Sequence, residues 1–441
     1  MAFDFELQTS IFQLYSMRVS KEKIEALNQQ HQSEHQEAFV RLRDQLENKG
    51  INVDSIIDNL VDFQVAIPSW ALGTGGTRFG RFSGGGEPTS LDHKIEDIGL
   101  LHAMNGSSGA ISLHIPWDIP SDPNHTRELA QSLNLKFDAV NSNTFQDQEN
   151  ANHSYKFGSL AHVNADVRAQ AIAHNKEVID YGKALDSNAL TVWLADGTTF
   201  PGQANFRKTF QHTLASLEDI YAHLPDEWKV LIEYKPFEPN FYSMAIPDWG
   251  TSHLLASQLG EKAFCLVDLG HHLPNTNIEQ IVAILMMEKK LGGFHFNDSK
   301  YADDDLTVGS IKPYQLFLIF NELVDGMGNT NNPDLAWMID ASHNLKDPLE
   351  DILQSVEAIL IAYAQALILD RASLTDAQQN NDVTLAQELL QDAYRTDVRT
   401  LVAESRRRMN SAINPIEAYR SLKVREGLIK ERGASTTATG L

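Results

Sequence analysis

Eight short apolar stretches recur along the chain, and each is rich in residues that favour β-strands. They cover residues 63–67, 111–115, 137–140, 190–194, 230–233, 264–268, 293–296 and 335–339. Between most of them lie amphipathic segments with helical spacing, such as 278–290, which Thr276 and Glu279 open with a capping-box pattern. Alternating strands and helices predict a parallel sheet, and eight units favour a closed (β/α)8 TIM barrel, an α/β fold, over an open doubly wound sheet.

The segments on either side of this alternation are helical. Residues 20–48 place apolar side chains at helical spacing and stop before Gly50, a residue typical of helix ends. From residue 347 the pattern stays helical, and it passes through the run Arg406-Arg407-Arg408 before a small polar tail. We therefore divide the chain into an N-terminal helical extension (1–60), the barrel (61–346) and a C-terminal helical arm with a flexible tail (347–441). The arm and its arginines are expected to face solvent or a neighbouring subunit.

Composition narrows the class of protein. The 441 residues suffice for one barrel, which commonly takes about 250 residues, plus appendages. The formal net charge of −23 argues against a nucleic-acid partner, because phosphate recognition needs a concentrated positive field. The single cysteine, Cys265, excludes an intrachain disulfide and agrees with a cytoplasmic location. The first residues lack a secretion-signal pattern, and no apolar run approaches the ~18 residues of a membrane span, so we expect neither export nor insertion.

Acid and imidazole side chains follow the last four predicted strands. In a barrel the carboxyl ends of the strands form the active site, so these side chains should meet at one rim. Oxygen ligands with a minority of imidazole suit Mn²⁺ or Mg²⁺, and this number of ligands exceeds what one ion takes from a protein. The sequence therefore predicts two divalent ions bridged by Asp268. The predicted ligands are Glu233, Asp268, His271, His295, Asp303, Asp305 and Asp340.

Each of these features also has an ordinary explanation, since an acidic loop is usually solvated and a lone histidine usually packs in a core. Their convergence on four adjacent strand ends favours the metal interpretation. Asp304 and His272 are instead interpreted as a surface acid and a residue packed behind the ligands.

Further side chains at the same rim suit a sugar. Lys235 follows Glu233 by two residues and should point the same way, where its ammonium would polarise a substrate oxygen. His114, at the end of the second strand, would hydrogen-bond a ring oxygen and assist ring opening. Aromatic faces stack on the C–H faces of sugars, although each ring equally suits core packing. The aromatic residues are Trp70, Phe79, Trp117 and Trp193.

A glycine-rich segment, 73–78, does not form a phosphate-binding loop, because the lysine and the serine or threonine of that motif are missing. It is interpreted as a flexible loop that brings Phe79 to the rim.

Four long motifs resemble the broad-specificity bacterial L-rhamnose isomerases, a branch of the xylose-isomerase-like barrel enzymes. They are AIPSW at 66–70, SLHIPWD at 112–118, VDLGHH at 267–272 and GGFHFNDSKY at 292–301. The likeness runs from about residue 61 to 408, and the N-terminal helix and the tail depart from it.

The resemblance implies Mn²⁺ at a structural site of Glu233, Asp268, His295 and Asp340, although Mg²⁺, Co²⁺ or Zn²⁺ would also fit. It implies a catalytic ion held by His271, Asp303, Asp305 and the shared Asp268. It also implies a homotetramer, with Phe145 reaching a neighbour's site, and activity on L-rhamnose and rarer aldoses such as D-allose.

For such a reaction we expect a 1,2-hydride shift in which Lys235 stabilises the developing oxyanion and Asp340 or a water molecule moves the hydroxyl proton. Proton transfer through an enediol is the rival route. Two other classes compete: a metal-dependent phosphodiesterase acting on damaged DNA, against which the net charge speaks, and a non-enzymatic sugar-binding protein, which leaves the seven ligands unexplained.

Overall fold

The structure is a computed structural model, and it describes residues 19–74, 82–328, 334–341 and 345–435. Within the described residues, two helices precede the first strand, α1 (Lys21–Glu47) and α2 (Val53–Asp62). The side chains of Ser20 and Asn52 cap their amino ends by accepting backbone N–H groups, as expected for serine and asparagine. The long helix predicted at 20–48 is confirmed.

Twelve strands follow in the described residues, and all but two of them belong to one parallel sheet. They are β1 (Ala66–Pro68), β2 (Ala110–Ser112), β3 (His114–Ile115), β4 (Lys136–Phe137), β5 (Val140–Ser142), β6 (Ala189–Val192), β7 (Gly197–Thr198), β8 (Lys229–Glu233), β9 (Ser243–Met244), β10 (Ala263–Asp268), β11 (Leu291–Phe296) and β12 (Ala336–Ile339). The two exceptions, β7 and β9, pair antiparallel in the loops that follow β6 and β8.

The remaining helices alternate with the strands and then continue beyond the last one. They are α3 (Leu91–Asn105), α4 (Pro123–Ser132), α5 (Ala165–Ala184), α6 (Phe206–Tyr221), α7 (Trp249–Leu259), α8 (Ile278–Met287), α9 (Pro313–Met327), α10 (Pro348–Leu367), α11 (Arg371–Gln379), α12 (Val383–Arg395), α13 (Arg399–Arg408), α14 (Pro415–Ser421) and α15 (Val424–Arg432). The capping box predicted for α8 is wrong, because Asn277 occupies the cap position and Thr276 donates to the Leu273 carbonyl instead.

The sheet closes into an eight-stranded barrel. β2 and β3 are two parts of one strand interrupted at Leu113, and β4 and β5 are likewise two parts of the next strand. Parallel pairing then runs through β6, β8, β10, β11 and β12, and β12 returns to β1, where Met338 lies opposite Ala66. The eight predicted strands and the (β/α)8 barrel are confirmed.

Apolar side chains of different sizes pack together in the lower part of the barrel interior. One such cluster consists of Ala139, Ala189, Leu231, Phe264 and Leu266. Since side chains alternate along a strand, residues two positions further on face the same interior at the carboxyl end. On β8 this alternation carries Leu231 to Glu233, which is how polar groups come to line the upper mouth of the barrel.

The C-terminal helices fold back on their own chain. α10 packs against α9, so it is the eighth helix of the barrel, and the boundary drawn at residue 346 separates β12 from the helix that follows it. α13 packs on α1 and α2, where Glu404 meets His35 at 3.0 Å with both side chains buried.

The expectation that the arginine run faces solvent or a neighbour is wrong for Arg406. Its side chain is only 3% exposed and lies 2.5 Å from Glu357, while Arg407 and Arg408 both pair with Glu404. A hydrophobic pattern alone does not reveal which face of an arm meets its own barrel.

No single helix in the described parts of the chain is both long enough and apolar enough to cross a membrane. Two helices separated by a 65° bend, α10 and α11, pass that test of length and composition only when taken together. Most of the side chains of α10 are buried within this fold.

Candidate metal centre and active-site pocket

Four predicted ligands from four consecutive barrel strands meet at the carboxyl end. Glu233, Asp268, His295 and Asp340 each offer a ligand atom within 4.8 Å of those of the other three. His295 Nδ1 lies 3.1 Å from a carboxylate oxygen of Glu233 and 3.4 Å from one of Asp340. We call these four residues the first ligand group.

A second ligand group shares one residue with the first. It consists of Asp268, His271 and Asp303, whose ligand atoms also lie within 4.8 Å of one another. His271 Nδ1 lies 3.1 Å from the backbone carbonyl of Tyr234, which can only accept, so the proton resides on Nδ1. Burial disfavours the charged form of His271, but the neighbouring carboxylates Asp268 and Asp303 outweigh it and raise the pKa of this histidine. In the neutral form that binds a metal, the lone pair is on Nε2, which lies 3.4 Å from Asp303. This arrangement is typical of a metal-binding histidine oriented by a backbone carbonyl.

The loop that carries Asp303 and Asp305 is held closed at its base. The backbones of Asp298 and Leu306 exchange two hydrogen bonds of 2.9 Å, and Asp304 accepts the backbone amides of Lys300 and Tyr301. Asp304 therefore organises the loop, and its interpretation as a plain surface acid was incomplete.

Asp305 lines the same pocket as the two ligand groups. It is buried and adopts a left-handed backbone with φ of 48°, a conformation that non-glycine residues rarely adopt outside constrained sites.

Negative charge is crowded in this centre. Burial, together with the neighbouring carboxylates Asp303, Glu233 and Asp340, raises the pKa of Asp268 to about 7 although His271 opposes the shift. Burial disfavours the charged form of His295, but Glu233 and Asp340 outweigh it and raise the pKa of that histidine to about 10. The centre therefore favours added positive charge.

The side chains present fit a divalent cation. Asp268 Oδ2 is buried and makes no hydrogen bond within the described residues, and it lies 4.0 Å from His271 Nε2 and 3.8 Å from His295 Nδ1. It thus points between the two groups. The ion pairs of Glu233 and Asp340 are made with histidines, which are themselves metal ligands when neutral. Oxygen donors with a minority of imidazole match Mn²⁺ or Mg²⁺.

Lys235 reaches the same rim from the end of β8. Its Nζ lies 2.5 Å from Asp303, contacts Glu238, and stands 5.2 Å from the centre of the Trp193 ring. The predicted orientation of Lys235 toward the rim thus agrees with the structure. Glu238, which is 7% exposed, was missed by the sequence analysis because nothing in its loop indicates that it turns back to the lysine.

Aromatic rings form another wall of the pocket. His114 stacks on Trp117 with ring centres 4.2 Å apart, and Phe145 lies 5.6 Å from His114 and 5.0 Å from Trp193. Phe145 therefore lines the pocket of its own chain, whereas the resemblance implied that it reaches a neighbour's site. Trp70 completes this wall. Phe79 and its loop lie outside the described residues.

A buried ion pair fixes the segment that carries His114 and Trp117. Lys94 Nζ lies 2.5 Å from Asp118, and both side chains are 1% exposed. The other oxygen of Asp118 accepts the backbone amide of His114 at 2.9 Å and the hydroxyl of Ser69. Asp118 thus holds the backbone of His114 and not its ring. Burial lowers the pKa of the His114 ring to about 3, so this histidine is neutral in the fold.

Three comparisons with known proteins agree with this architecture. The family described as xylose isomerase-like TIM barrel matches residues 109–348. A probable sugar isomerase of Rhizobium meliloti is 49% identical over 420 residues, which are 95% of this chain and 98% of the relative. A second probable sugar isomerase, of Mesorhizobium japonicum, is 48% identical over 96% of this chain and 98% of its own length.

Among solved structures, an L-ribulose 3-epimerase matches with a TM-score of 0.52 at 14% identity, covering 72% of this chain and 99% of that chain. At this identity the match supports the fold alone. The family match spans more than half of the chain, and the two relatives align along nearly all of it. The chain belongs to the xylose isomerase-like TIM barrel family.

Proposed function

We propose that this protein is a sugar isomerase that interconverts L-rhamnose and L-rhamnulose and accepts other aldoses such as D-allose. The observation that carries the proposal is the pair of ligand groups sharing Asp268 and facing a pocket with an aromatic wall. Relatives that are probable sugar isomerases support the reaction class. The motifs around His114 and Asp268 support the choice of rhamnose. A homotetramer also stays a proposal.

Two divalent ions, Mn²⁺ by preference, would occupy the two ligand groups. The first group would hold a structural ion, and His271, Asp303 and Asp305 would hold a catalytic ion together with the shared Asp268. Bound there, the ions supply Lewis acidity that stabilises negative charge on the sugar oxygens.

The chain's own side chains would then direct the isomerisation. In a 1,2-hydride shift, the C2–H bond of the open-chain aldose breaks and a C1–H bond forms, while O2 loses a proton and O1 gains one. Asp340, at the rim of the pocket, would accept and return that proton. Lys235, held by Glu238 and Asp303, would donate a hydrogen bond to the oxygen on which negative charge develops. The neutral His114 ring would hydrogen-bond the sugar during binding and ring opening.

The direct test is ketose formation from L-rhamnose by the purified protein, before and after treatment with a chelator and after addition of Mn²⁺. We expect activity that the chelator removes and Mn²⁺ restores. Asp268→Asn should remove it permanently, whereas the exposed Asp376→Asn should not change it. Absence of ketose from every aldose tested with Mn²⁺ present contradicts the proposal, and conversion of one ketose into its C3 epimer instead indicates an epimerase.

Deuterium at C2 of the aldose separates the two chemical routes. A hydride shift keeps the deuterium at C1 of the ketose, whereas extensive exchange with water indicates proton transfer through an enediol.

A further inference from the structure

Besides the ligand groups, the pocket has a second polar face. Three of its buried atoms make no hydrogen bond within the described residues: Thr191 Oγ1, Trp193 Nε1 and His114 Nδ1. The proposed chemistry uses the His114 ring and gives Thr191 and Trp193 no role. All three residues line the pocket. Buried polar groups without a partner are rare in folded proteins, and each costs about 1–3 kcal/mol unless something else satisfies it.

Thr191 is the most informative of the three because packing does not require its hydroxyl. It lies on β6 two residues after Ala189, which faces the barrel interior, so its side chain faces the interior as well. Its side chain is buried, and its neighbours across the sheet are Asn141 and Leu231. Valine has the same shape and favours strands equally well, so the fold alone gives no reason for an oxygen here.

The neighbouring Asn141 shows that this face is built from fixed polar groups. Its Nδ2 donates to Ser112 Oγ at 2.9 Å and to the Leu113 carbonyl at 3.0 Å. The carbonyl of Leu113 can only accept a hydrogen bond. Ser112 Oγ donates its own proton to the Ala139 carbonyl, so it accepts from Asn141. The orientation of the Asn141 amide is therefore determined, both of its N–H groups are used, and its oxygen is the group left for a ligand in the pocket that it lines.

We propose that Thr191 Oγ1 forms a hydrogen bond with a hydroxyl group that the sugar carries beyond C3. Through this contact Thr191 helps to determine which aldoses the enzyme accepts. This inference rests on the proposed function, with C1 and C2 of the sugar at the ligand groups. The pocket lining available to the rest of the sugar includes Asn141 of β5 and Thr191 of β6. A site that hydrogen-bonds a substrate hydroxyl discriminates strongly against an analogue that lacks it, because its own polar group is left unpaired.

The test compares Thr191→Val, which removes only the hydroxyl, with Thr191→Ser, which keeps it. Thr213→Val is the matched control, since Thr213 is equally buried but its hydroxyl bonds the Thr209 carbonyl on α6. We expect kcat/KM for L-mannose to fall about 10-fold or more in the valine variant, the equivalent of one neutral hydrogen bond, and by less than threefold in the serine variant. Thermal denaturation and bound-metal content should match the wild type.

Deoxy substrates identify the hydroxyl that is read. L-rhamnose lacks only the C6 hydroxyl of L-mannose, and the 4-deoxy and 5-deoxy sugars complete the series. The loss of kcat/KM in Thr191→Val should vanish for one of the three deoxy sugars. The inference is overturned if kcat/KM of the valine variant stays within twofold of the wild type for every sugar. It is also overturned if the loss persists with all three deoxy sugars, because the hydroxyl then serves only to hold a water molecule or the fold.

A binding measurement keeps this inference separate from the proposed function. Calorimetric titration with the open-chain polyol L-mannitol requires no turnover. If the wild-type protein isomerises no sugar, the proposed function fails. Weaker polyol binding by Thr191→Val than by Thr191→Ser would still support a sugar-reading role, and equal binding by the two variants would refute it.

Discussion

Removal of the buried ammonium group of Lys94 tests how the pocket wall is held. Lys94 on α3 and Asp118 lie 2.5 Å apart, and both side chains are 1% exposed. Lys94→Met keeps the length of the side chain and leaves the Asp118 carboxylate without its counter-charge. Asp118 also holds the backbone of His114, so the change should affect both stability and substrate binding.

The size of the effect follows from the geometry. At 2.5 Å and an effective dielectric constant of about 20, the attraction is about 7 kcal/mol, most of which offsets the desolvation of two ions. Removal of one partner of a buried pair costs about 3–5 kcal/mol, because the other charge stays buried. Asp118 keeps its bonds from His114 and Ser69, so we expect a loss near the lower limit, about 3 kcal/mol.

Denaturant unfolding of the metal-loaded protein measures this loss, with Lys208→Met on the exposed face of α6 as the control. The double variant Lys94→Met/Asp118→Asn removes both charges and should regain at least half of the lost stability. KM for the sugar should rise more than kcat falls, because His114 and Trp117 lose their support. A loss below about 1 kcal/mol in the single variant, or a double variant as unstable as the single one, refutes this reasoning.

Three further predictions concern other parts of the molecule. Asp268→Asn should remove ions from both ligand groups, as measured by metal analysis, and lower ketose formation at least 100-fold in a steady-state assay. One retained ion per chain together with near-normal activity contradicts the role of Asp268 as a shared ligand. The fold keeps the pKa of His114 at about 3, against about 6.5 in the unfolded chain. Between these pH values the unfolded chain binds more protons, so the free energy of unfolding decreases as the pH falls. In His114→Phe the slope of this free energy against pH should be smaller by about 1.4 kcal/mol per pH unit, and an unchanged slope contradicts the neutral state of His114. Gly86→Ala should lower the free energy of unfolding by more than about 2 kcal/mol, because φ is +69° and the new Cβ would lie 2.7 Å from the Ile429 nitrogen. Gly50→Ala has a φ of +80° but open space around the new Cβ, so it should cost only about 1–2 kcal/mol for its backbone conformation. Equal losses for the two variants in denaturant unfolding contradict the steric argument.

The barrel was predictable because apolar runs of strand length recur eight times and each is followed by polar residues. The interruption of the second strand at Leu113 was not, because the apolar pattern continues through it while the pairing partner changes from β1 and β4 to β5. The direction of the C-terminal arm was also not predictable. The charge of Arg406 suggests solvent, and only the fold reveals Glu357 beside it.

The ligand groups were predictable for a geometric reason. The carboxyl ends of parallel strands meet at one rim, so acid and imidazole side chains at consecutive strand ends must come close together. This logic covers Glu233, Asp268, His295 and Asp340. It does not extend to groups that reach the site from elsewhere: Lys94 acts from a helix 24 positions before Asp118, and Glu238 turns back from a loop to Lys235.

Thr191 shows a different limit. In the sequence it is one more β-branched residue in an apolar strand, and its significance depends on the absence of a hydrogen-bond partner in the described structure. The same holds for the Asp304 carboxylate, whose role in closing its loop requires the backbone positions of Lys300 and Tyr301.

We propose that two cations bind on either side of Asp268. Anomalous diffraction at the manganese edge, from crystals of the protein grown with Mn²⁺, is the most direct test. We expect two peaks per chain, one among Glu233, Asp268, His295 and Asp340 and one beside Asp268, His271 and Asp303. A map with no peak at this rim, or with Lys235 seated among the carboxylates in place of an ion, would contradict it.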